Sequence, residues 1–186
     1  MYVRGALVMK SCTVRNNTAI GGAPFGGAMF FAGAADVTIV DSTITANSIE
    51  TNSGCSTVAY GAAIYTMGKL SIASSTITNN GVFEGSATLE IRGGAIAQAA
   101  SVNWVNDETA LVDLTITTST LSNNGAARGG AIHGEDGNIR ITACAIHDNT
   151  GFLYGYGTER KTRGKIKNGS FNYSGNRCFS DNYGLE

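Results

Sequence analysis

The feature of this chain that most restricts its fold is an eleven-residue block that occurs five times, without a gap inside any copy. Every copy ends in asparagine and carries aliphatic or methionine side chains at its first, third and eighth positions. Such self-similarity is typical of a solenoid, in which each unit buries its apolar face against the next. The five copies are LVMKSCTVRNN (7–17), VTIVDSTITAN (37–47), LSIASSTITNN (70–80), LTITTSTLSNN (114–124) and IRITACAIHDN (139–149).

The spacing of the apolar residues within each block indicates strands. Positions 1 and 3 alternate with polar residues, as do positions 6 and 8, and the break between them predicts a bend. A second block, which begins with glycine and adds a third strand, lies between the copies at 26–31, 61–66, 93–98 and 129–134. Because one repeat has too few inward side chains for a core, we predict parallel stacking at a spacing of ~4.8 Å. The predicted fold is an all-β parallel β-helix solenoid of about five to six coils, with three short strands per coil.

The recurring polar residues are predicted to shape the corners. Serine or cysteine at position 6 suits the inside of a tight bend, and glycine in the second block suits a corner with positive φ. The terminal asparagine is predicted to close the next bend and to form a ladder of amide hydrogen bonds along the stack. A diverged sixth copy is predicted to end at Asn182, with Phe179 in the aliphatic position. The predicted ladder consists of Asn17, Asn47, Asn80, Asn124 and Asn149.

The two kinds of block together resemble a known family. GGAI segments (93–96 and 129–132) alternate with an aliphatic residue or phenylalanine that precedes asparagine by three positions, as in FSDN at 179–182. In this the chain resembles, over roughly residues 5–149, the repeats of polymorphic outer membrane proteins, which are autotransporter passengers. The resemblance implies a right-handed, pectin-lyase-like β-helix. It also implies a location at the cell surface, outside the cell or in a membrane-associated complex.

Composition divides the chain into β-helix repeats over residues 1–150 and a diverged last coil with a basic and aromatic segment over residues 151–186. The first part has 7 Lys and Arg against 11 Asp and Glu, and the second has 6 against 3. This segment either docks on an acidic partner surface or is a solvated loop before an irregular last coil. Trp104, in an insertion at 99–112, either takes part in binding or covers a gap in the coil. The candidate partner-binding residues are Arg160, Lys161, Arg163, Lys165, Lys167, Tyr154, Tyr156 and Trp104.

The sequence offers no convergent catalytic set. Zinc-ligand spacing, a P-loop and a nucleophile elbow are all missing, so we predict no catalytic residue, metal or cofactor. Glu135 and Asp136, with Arg140 on the following strand, are the best acidic pair and are interpreted as a solvated turn. His133 and His147 fall on different strands and are expected to point from different faces.

Two further patterns bear on stability and on an alternative function. Cys12 and Cys144 share position 6 but lie four coils apart, ~19 Å at the strand spacing, which is too far for a disulfide bond. Three consecutive coils show Thr-x-Thr or Thr-x-Ser at 43–45, 76–78 and 120–122. Ice-binding solenoids are similar in this respect, although threonine is also a common residue of exposed strands.

These observations favour a non-enzymatic β-helix scaffold or binding module that acts within a larger assembly or a longer surface protein. One alternative is a pectin-lyase-like protein that cleaves or binds polysaccharides, and a second is an ice-binding solenoid. The expected partner is a protein chain that covers the N-terminal coil edge, where MYVRGALVMK opens on a strand, or contacts the basic C-terminal segment. Polysaccharide is the other partner class, and a net charge of −1 disfavours nucleic acid. No apolar run approaches the ~20 residues that a membrane-spanning helix needs.

Overall fold

A computed structural model describes residues 1–51, 57–81, 89–99, 101–102, 109–110, 113–135, 137–151, 170–174 and 177–179. These residues contain β-strands and no helix, and strands from successive coils pair in parallel. Five coils stack in this way. The predicted all-β parallel β-helix is therefore confirmed.

Three sheets form the body of the solenoid, with strands numbered in chain order. Sheet A contains β1 (Tyr2–Val3), β5 (Met29–Phe31), β10 (Ile64–Thr66), β14 (Ile96–Gln98), β20 (Ile132–Gly134) and β25 (Arg177–Phe179). Sheet B contains β2 (Ala6–Lys10), β6 (Asp36–Val40), β11 (Lys69–Ala73), β17 (Asp113–Thr117), β21 (Asn138–Thr142) and β24 (Ser170–Ser174). Sheet C contains β3 (Thr13–Arg15), β7 (Thr43–Thr45), β12 (Thr76–Thr78), β18 (Thr120–Ser122) and β22 (Ala145–His147).

The connections between sheets C and A add smaller pairs of strands. Three pairs are parallel: β4 (Thr18–Gly21) with β8 (Ser48–Thr51), β9 (Thr57–Tyr60) with β13 (Leu89–Arg92), and β19 (Gly125–Ala126) with β23 (Thr150–Gly151). A fourth pair, β15 (Ser101–Val102) with β16 (Thr109–Ala110), is antiparallel and lies in the connection from sheet A to sheet B. The connections differ in length from coil to coil, whereas the strands of sheets B and C do not.

Equivalent positions of the repeat lie directly on one another. Leu70, for example, pairs with Val37 on one side and with Leu114 on the other. Burying a side chain of this size stabilises the fold by ~1.5–3 kcal/mol, and stacking buries each one between two equivalents. The core formed by positions 1, 3 and 8 includes the almost fully buried Val37, Ile39, Ile44, Leu70, Ile72, Ile77, Leu114, Ile116, Leu121, Ile139, Ile141 and Ile146.

The corners use left-handed backbone conformations at fixed repeat positions. Position 5 makes the bend between sheets B and C, where the broken alternation predicts it, and position 10 makes the next bend. The non-glycine residues with positive φ are Ser11, Asn16, Asp41, Ala46, Ser74, Asn79, Thr118, Asn123, Ala143 and Asp148. The predicted third corner also has positive φ, with values of 64°, 66°, 79° and 63° at Gly26, Gly61, Gly93 and Gly129.

The asparagine ladder is confirmed along all five coils. From Asn17 to Asn149, each Nδ2 donates to Oδ1 of the next asparagine over 2.9, 2.9, 3.0 and 2.8 Å. The side chain also closes its own bend, since Asn80 Nδ2 donates to the carbonyl of Thr78 at 3.0 Å. Position 6 forms a second ladder, because the amides of Cys12 and Ser42 each donate to the serine Oγ of the next coil at 3.1 Å.

The last two strands run against the direction of the coils. β24 pairs antiparallel with β21, and β25 pairs antiparallel with β20, so Phe179 lies opposite Ile132 in sheet A. A sixth coil would have placed Phe179 in sheet C, so the predicted sixth copy is wrong. The segment lacks a Gly-Gly-Ala block that would make another glycine corner. Asn182 lies outside the described residues.

Candidate binding surface

One outer face of the solenoid carries larger side chains than the others. In β5, β10, β14 and β20 of sheet A the middle residue of the strand points outward. In β5, Met29 and Phe31 are fully buried in the core, whereas Phe30 is partly exposed. The parallel register puts the outward residues in one row, which is Tyr2, Phe30, Tyr65, Ala97 and His133.

A second row lies across the glycine corner from the first. It consists of the residue that precedes each corner glycine, and neighbouring members pair in register. The row changes from aromatic to basic along the solenoid: Phe25, Tyr60, Arg92 and Arg128. Because the corner brings the two rows together, the Phe25 ring packs against Tyr65 of the first row with centroids 5.0 Å apart.

Five rings from the two rows form an aromatic patch, defined as Tyr2, Phe25, Phe30, Tyr60 and Tyr65. Phe25 stacks on Tyr60 with centroids 5.7 Å apart and an interplanar angle of 14°. Tyr2 meets Phe30 edge-on at 5.1 Å. Phe25 and Tyr2 remain 40% and 56% exposed, whereas Tyr65 is 7% exposed. Burial, with smaller contributions from Glu135 and Tyr60, raises the pKa of Tyr65 to about 12, so its phenol is neutral at physiological pH.

An ionic cluster borders the aromatic patch and is defined as Glu90, Arg92, Arg128, His133 and Glu135. Arg92 joins its two halves, since Nε donates to Glu90 at 2.8 Å and Nη1 donates to Glu135 at 2.8 Å. Arg128 Nε lies 2.7 Å from the same Glu90 oxygen. His133 Nε2 lies 3.6 Å from Glu135 Oε1. The two arginines and two glutamates therefore balance one another within the cluster.

Tyr60 and Arg92 connect the aromatic patch to the ionic cluster. The Arg92 guanidinium carbon lies 5.4 Å from the centroid of the Tyr60 ring, and Nη1 donates to the Tyr60 hydroxyl at 3.2 Å. Burial and then the charge of Glu135 raise the pKa of Tyr60. Burial alone would lower the pKa of Arg92, but its hydrogen bond to Glu90 and the nearby charges raise it.

Glu135 corrects the interpretation of its turn as solvated. Its carboxylate is half-buried between Arg92 and His133, because the Glu135 amide continues the ladder of sheet A by donating to the Gln98 carbonyl at 2.9 Å, and Glu135 follows the outward His133 by two positions. The proximity of His133 lowers the pKa of Glu135 more than burial raises it, and Arg92 and Tyr60 lower this pKa further. Glu135 is therefore ionised at neutral pH. Asp136 lies outside the described residues.

Sheets B and C present shorter and less varied side chains on their outer faces. Sheet C has two outward rows, and both contribute to the predicted threonine array over residues 43–45, 76–78 and 120–122. In register, the rows are Thr13, Thr43, Thr76, Thr120 and Ala145, and Arg15, Thr45, Thr78, Ser122 and His147. The central outward row of sheet B is Val8, Thr38, Ser71, Thr115 and Arg140. Aromatic packing and linked ion pairs are thus concentrated on sheet A.

The structure separates the two histidines as predicted. His133 lies in β20 of sheet A, and His147 lies in β22 of sheet C, where Nδ1 is 2.7 Å from Asp148. The structure does not describe the predicted partner-binding residues. Trp104, Tyr154, Tyr156, Arg160, Lys161, Arg163, Lys165 and Lys167 all lie outside the described residues.

Sequence reasoning missed the aromatic patch and most of the ionic cluster. A signal for them was present, because each glycine block is preceded by a large side chain, in the order Phe25, Tyr60, Arg92 and Arg128. The outward middle position of each block adds the second row. Neither position repeats one residue type, so a search for recurring residues passes over both.

Within the part of the chain that the structure describes, no three His, Cys, Asp or Glu side chains come together as a metal site. The same residues include no helix of the length and apolar character needed to span a bilayer. Comparison with protein-family models, with curated proteins and with solved structures gives no match to this chain.

Proposed function

We propose that this chain is a non-enzymatic binding module whose β-helix presents the aromatic patch and the ionic cluster to another protein. The observation that supports this most is the exposure of Phe25 and Tyr2, at 40% and 56%, beside the linked arginines on one outer face. Aromatic residues and arginine are enriched among the residues that dominate the energy of protein interfaces. An apolar centre beside a charged border also matches the usual layout of an interface.

The aromatic patch continues onto the first coil. The exposed large hydrophobic side chains among the described residues all lie in the first 25 positions: Met1, Tyr2, Val8, Ile20 and Phe25. Tyr2 and Phe25 are joined through ring contacts with Phe30, and a group of exposed apolar side chains of this kind is a common mark of an interaction site. We therefore propose that one partner chain contacts the aromatic patch together with Met1, which precedes Tyr2 on the first coil, and does not contact Val8 on sheet B.

The chemistry of the ionic cluster supports binding rather than catalysis. Hydrolysis of a glycosidic bond needs a carboxylic acid with a raised pKa as proton donor. The pKa of Glu135 is lowered instead. Glu90 is held by contacts of 2.8 Å with Arg92 and 2.7 Å with Arg128. Both carboxylates thus have roles in fixing the arginines beside the aromatic patch.

The test compares three immobilised forms of the chain for partner recovery from native extract. The double variant Tyr2→Ala with Phe25→Ala should lose the partner, because it removes the exposed rings of the patch. Val8→Ala is the matched control, since Val8 is a 74% exposed hydrophobic residue on sheet B. It should retain the partner. Equal recovery by both variants at equal melting temperature would show that the patch is not the binding surface.

A saccharide is the second candidate ligand, favoured by the near-parallel stack of Phe25 on Tyr60 at 14° next to hydrogen-bonding groups. A sugar ring can lie on an exposed aromatic face while Arg and Glu bond its hydroxyls. Affinity electrophoresis through acidic and neutral polysaccharides tests this, with the same double variant and control. A search for new reducing ends or unsaturated products in the same mixtures tests turnover, and clear turnover would overturn the non-enzymatic proposal.

The basic segment stays in the proposal as a second contact that steers an acidic partner. Its charges are those of Arg160, Lys161, Arg163, Lys165 and Lys167. Neutralising these five side chains should reduce partner recovery at low salt and leave the melting curve unchanged. Kinship with autotransporter passengers, and with it a place at the cell surface, rests on the repeats and remains a prediction.

A further inference from the structure

Two members of the asparagine ladder are followed directly by glycine. Glycine has no side chain to shield the asparagine carboxamide from the amide nitrogen that follows it, so an Asn-Gly pair is especially prone to deamidation. The pairs are Asn80–Gly81 and Asn124–Gly125, whereas the other three ladder asparagines precede threonine or serine. Two of the five ladder corners therefore carry a chemically labile pair.

Packing between coils imposes the glycine that follows Asn80. Gly81 has a φ of 124° and pairs with Gly125 of the next coil. A Cβ atom on Gly81 would overlap the carbonyl oxygen of Gly125. The Gly125 backbone is crowded from Gly94 as well, because a Cβ atom there would lie 2.8 Å from the Gly125 amide nitrogen. A larger residue at position 81 would force the coils apart, so the labile pair stays where the ladder needs asparagine.

Deamidation of an Asn-Gly pair is a cyclisation followed by hydrolysis. The glycine amide nitrogen, after losing its proton to a base, attacks Cγ of the asparagine. An N–C bond forms, and the side-chain nitrogen takes up a proton and leaves as ammonia. Water then opens the cyclic imide at one of its two carbonyls and gives aspartate or isoaspartate. The reaction therefore needs a free glycine N–H and a carboxamide that can turn towards it.

The folded ladder meets neither requirement at the first pair. The Gly81 amide donates to the Asn47 carbonyl at 2.9 Å, so an acceptor holds its proton. Asn80 is fully buried, and its Nδ2 donates to the carbonyls of Thr78 and Ile44 at 3.0 and 3.1 Å. Turning Cγ towards Gly81 would break these bonds, and buried polar groups that lose their partners are costly.

The second pair is held in the same way. The Gly125 amide donates to the Asn80 carbonyl at 2.8 Å. Asn124 is also fully buried, and its Nδ2 donates to the Ile77 carbonyl at 3.0 Å. Its Oδ1 accepts from the Asn80 amide at 3.0 Å. Each of these bonds joins two coils, so both pairs are protected only while the coils remain stacked.

We infer that Asn80–Gly81 and Asn124–Gly125 are modification sites that the stacked ladder protects and that deamidate when the coils separate. The products do not fit back into the ladder. Aspartate at position 80 would place a charged oxygen against the carbonyls that Nδ2 had bound, in a fully buried site. Isoaspartate would bring Cβ into the main chain and lengthen the corner by one atom. Deamidation therefore makes the opening of these coils irreversible, whatever binds the aromatic patch.

The first experiment measures deamidation of the full chain at mildly alkaline pH, in buffer and in concentrated urea, by mass spectrometry of tryptic peptides. Trypsin separates the ladder pairs, in peptides 70–92 and 93–128, from Asn168–Gly169 in peptide 168–177. In urea Asn80 and Asn124 should react at a rate similar to that of Asn168. In buffer both should slow roughly tenfold or more, because stacked core coils open rarely.

Two outcomes of this experiment would overturn the inference. One is a ladder pair that reacts as fast in buffer as in urea, since the fold would then give no protection. The other is a ladder pair that reacts much more slowly than Asn168 in urea, since the local sequence would then be protective without the fold.

The second experiment tests the consequence with two variants of equal charge. Asn80→Asp places one product of deamidation in the ladder. Asn79→Asp is the matched control, because Asn79 is exposed and Asp148 holds the same repeat position, also with positive φ. Asn80→Asp should lower the melting temperature by about 6 °C or more, or abolish the transition, and the control should leave it unchanged. Equal melting temperatures would show that the product is accepted by the ladder and would overturn the irreversibility.

Discussion

At the asparagine corner all five coils carry the same residue, while the position before the glycine corner changes from Phe25 through Tyr60 to Arg92 and Arg128. Both positions lie at bends of the same coils and both have equivalents directly above and below them. The asparagine must accept from one neighbour, donate to the other and brace its own bend, and a carboxamide meets all three requirements. The outward position needs only to extend over sheet A.

The difference shows where a solenoid leaves room for function. A residue whose neighbours are copies of itself is fixed by those neighbours, so the inward rows repeat. Residues on the outer face of sheet A are held by local contacts such as the Arg92–Glu135 bond of 2.8 Å, and each coil can supply a different group. In this fold, positions that carry the same residue in every coil therefore stabilise the stack. Outward positions whose residue changes from coil to coil form the candidate binding surface.

The largest expected effect is the loss of one member of the ladder. Asn80→Ala removes the acceptor used by the Asn47 amide at 3.0 Å and by Asn47 Nδ2 at 2.9 Å. An unsatisfied buried group costs ~1–3 kcal/mol, so we expect a loss of ~3 kcal/mol or more in the free energy of unfolding. Urea denaturation measures this loss. Thr76→Ala, on the outer face of the same coil, is the control and should change stability by less than ~0.5 kcal/mol. Equal losses would contradict the inward constraint.

A smaller effect is expected at the serine ladder. Ser75 Oγ accepts from the Ser42 amide at 3.1 Å and donates to the Ala73 carbonyl at 2.7 Å. Ser75→Ala should cost ~1–2 kcal/mol because the buried amide loses its acceptor. Ser75→Cys should cost less, since cysteine holds this position in the first and last coils and Cys144 Sγ bonds the Thr142 carbonyl at 3.2 Å. If cysteine proves as costly as alanine in urea unfolding, the hydrogen bond is not what fixes this row.

The ionic cluster should contribute less and should do so in a pH-dependent way. Its lowered pKa means that Glu135 stabilises the fold above its unfolded pKa of ~4.3, and that this contribution disappears as pH falls through the folded pKa. We expect Glu135→Gln to cost ~1 kcal/mol at neutral pH and nothing in strong acid. A double-mutant cycle with Arg92→Met, followed by urea unfolding from neutral to acid pH, isolates the pair. A coupling energy that stays constant over this range would contradict the assignment.

The inward rows of the repeat could be predicted from the sequence, whereas the reversed strands and the candidate binding surface could not. The reasons are physical. Asn80 and Ile77 are predictable because their environment is a copy of themselves in the next coil. The reversal at β24 is not, since antiparallel pairing follows no repeat. The candidate binding surface unites Phe25, Tyr60 and Glu135, which belong to different coils separated by connections of unequal length. Their proximity depends on the register of sheet A, which only the aligned glycine blocks reveal.

The smallest effect on stability is expected at Val8, on the outer face of sheet B. Over the first three coils the central outward row of this sheet is Val8, Thr38 and Ser71, so Val8 is its one residue that is neither Thr nor Ser. Val8 is 74% exposed and lies beside Thr38, which is followed in register by Ser71. Val8→Thr would make the first coil match its neighbours, and both residues suit strands equally well. We therefore expect the free energy of unfolding to change by less than ~0.5 kcal/mol in urea titrations. Partner recovery should also be unchanged, because this row is separate from the aromatic patch. A loss of partner with unchanged stability would extend the binding surface from sheet A around the first coil to sheet B, and the contrast between the outer faces would then hold only beyond that coil.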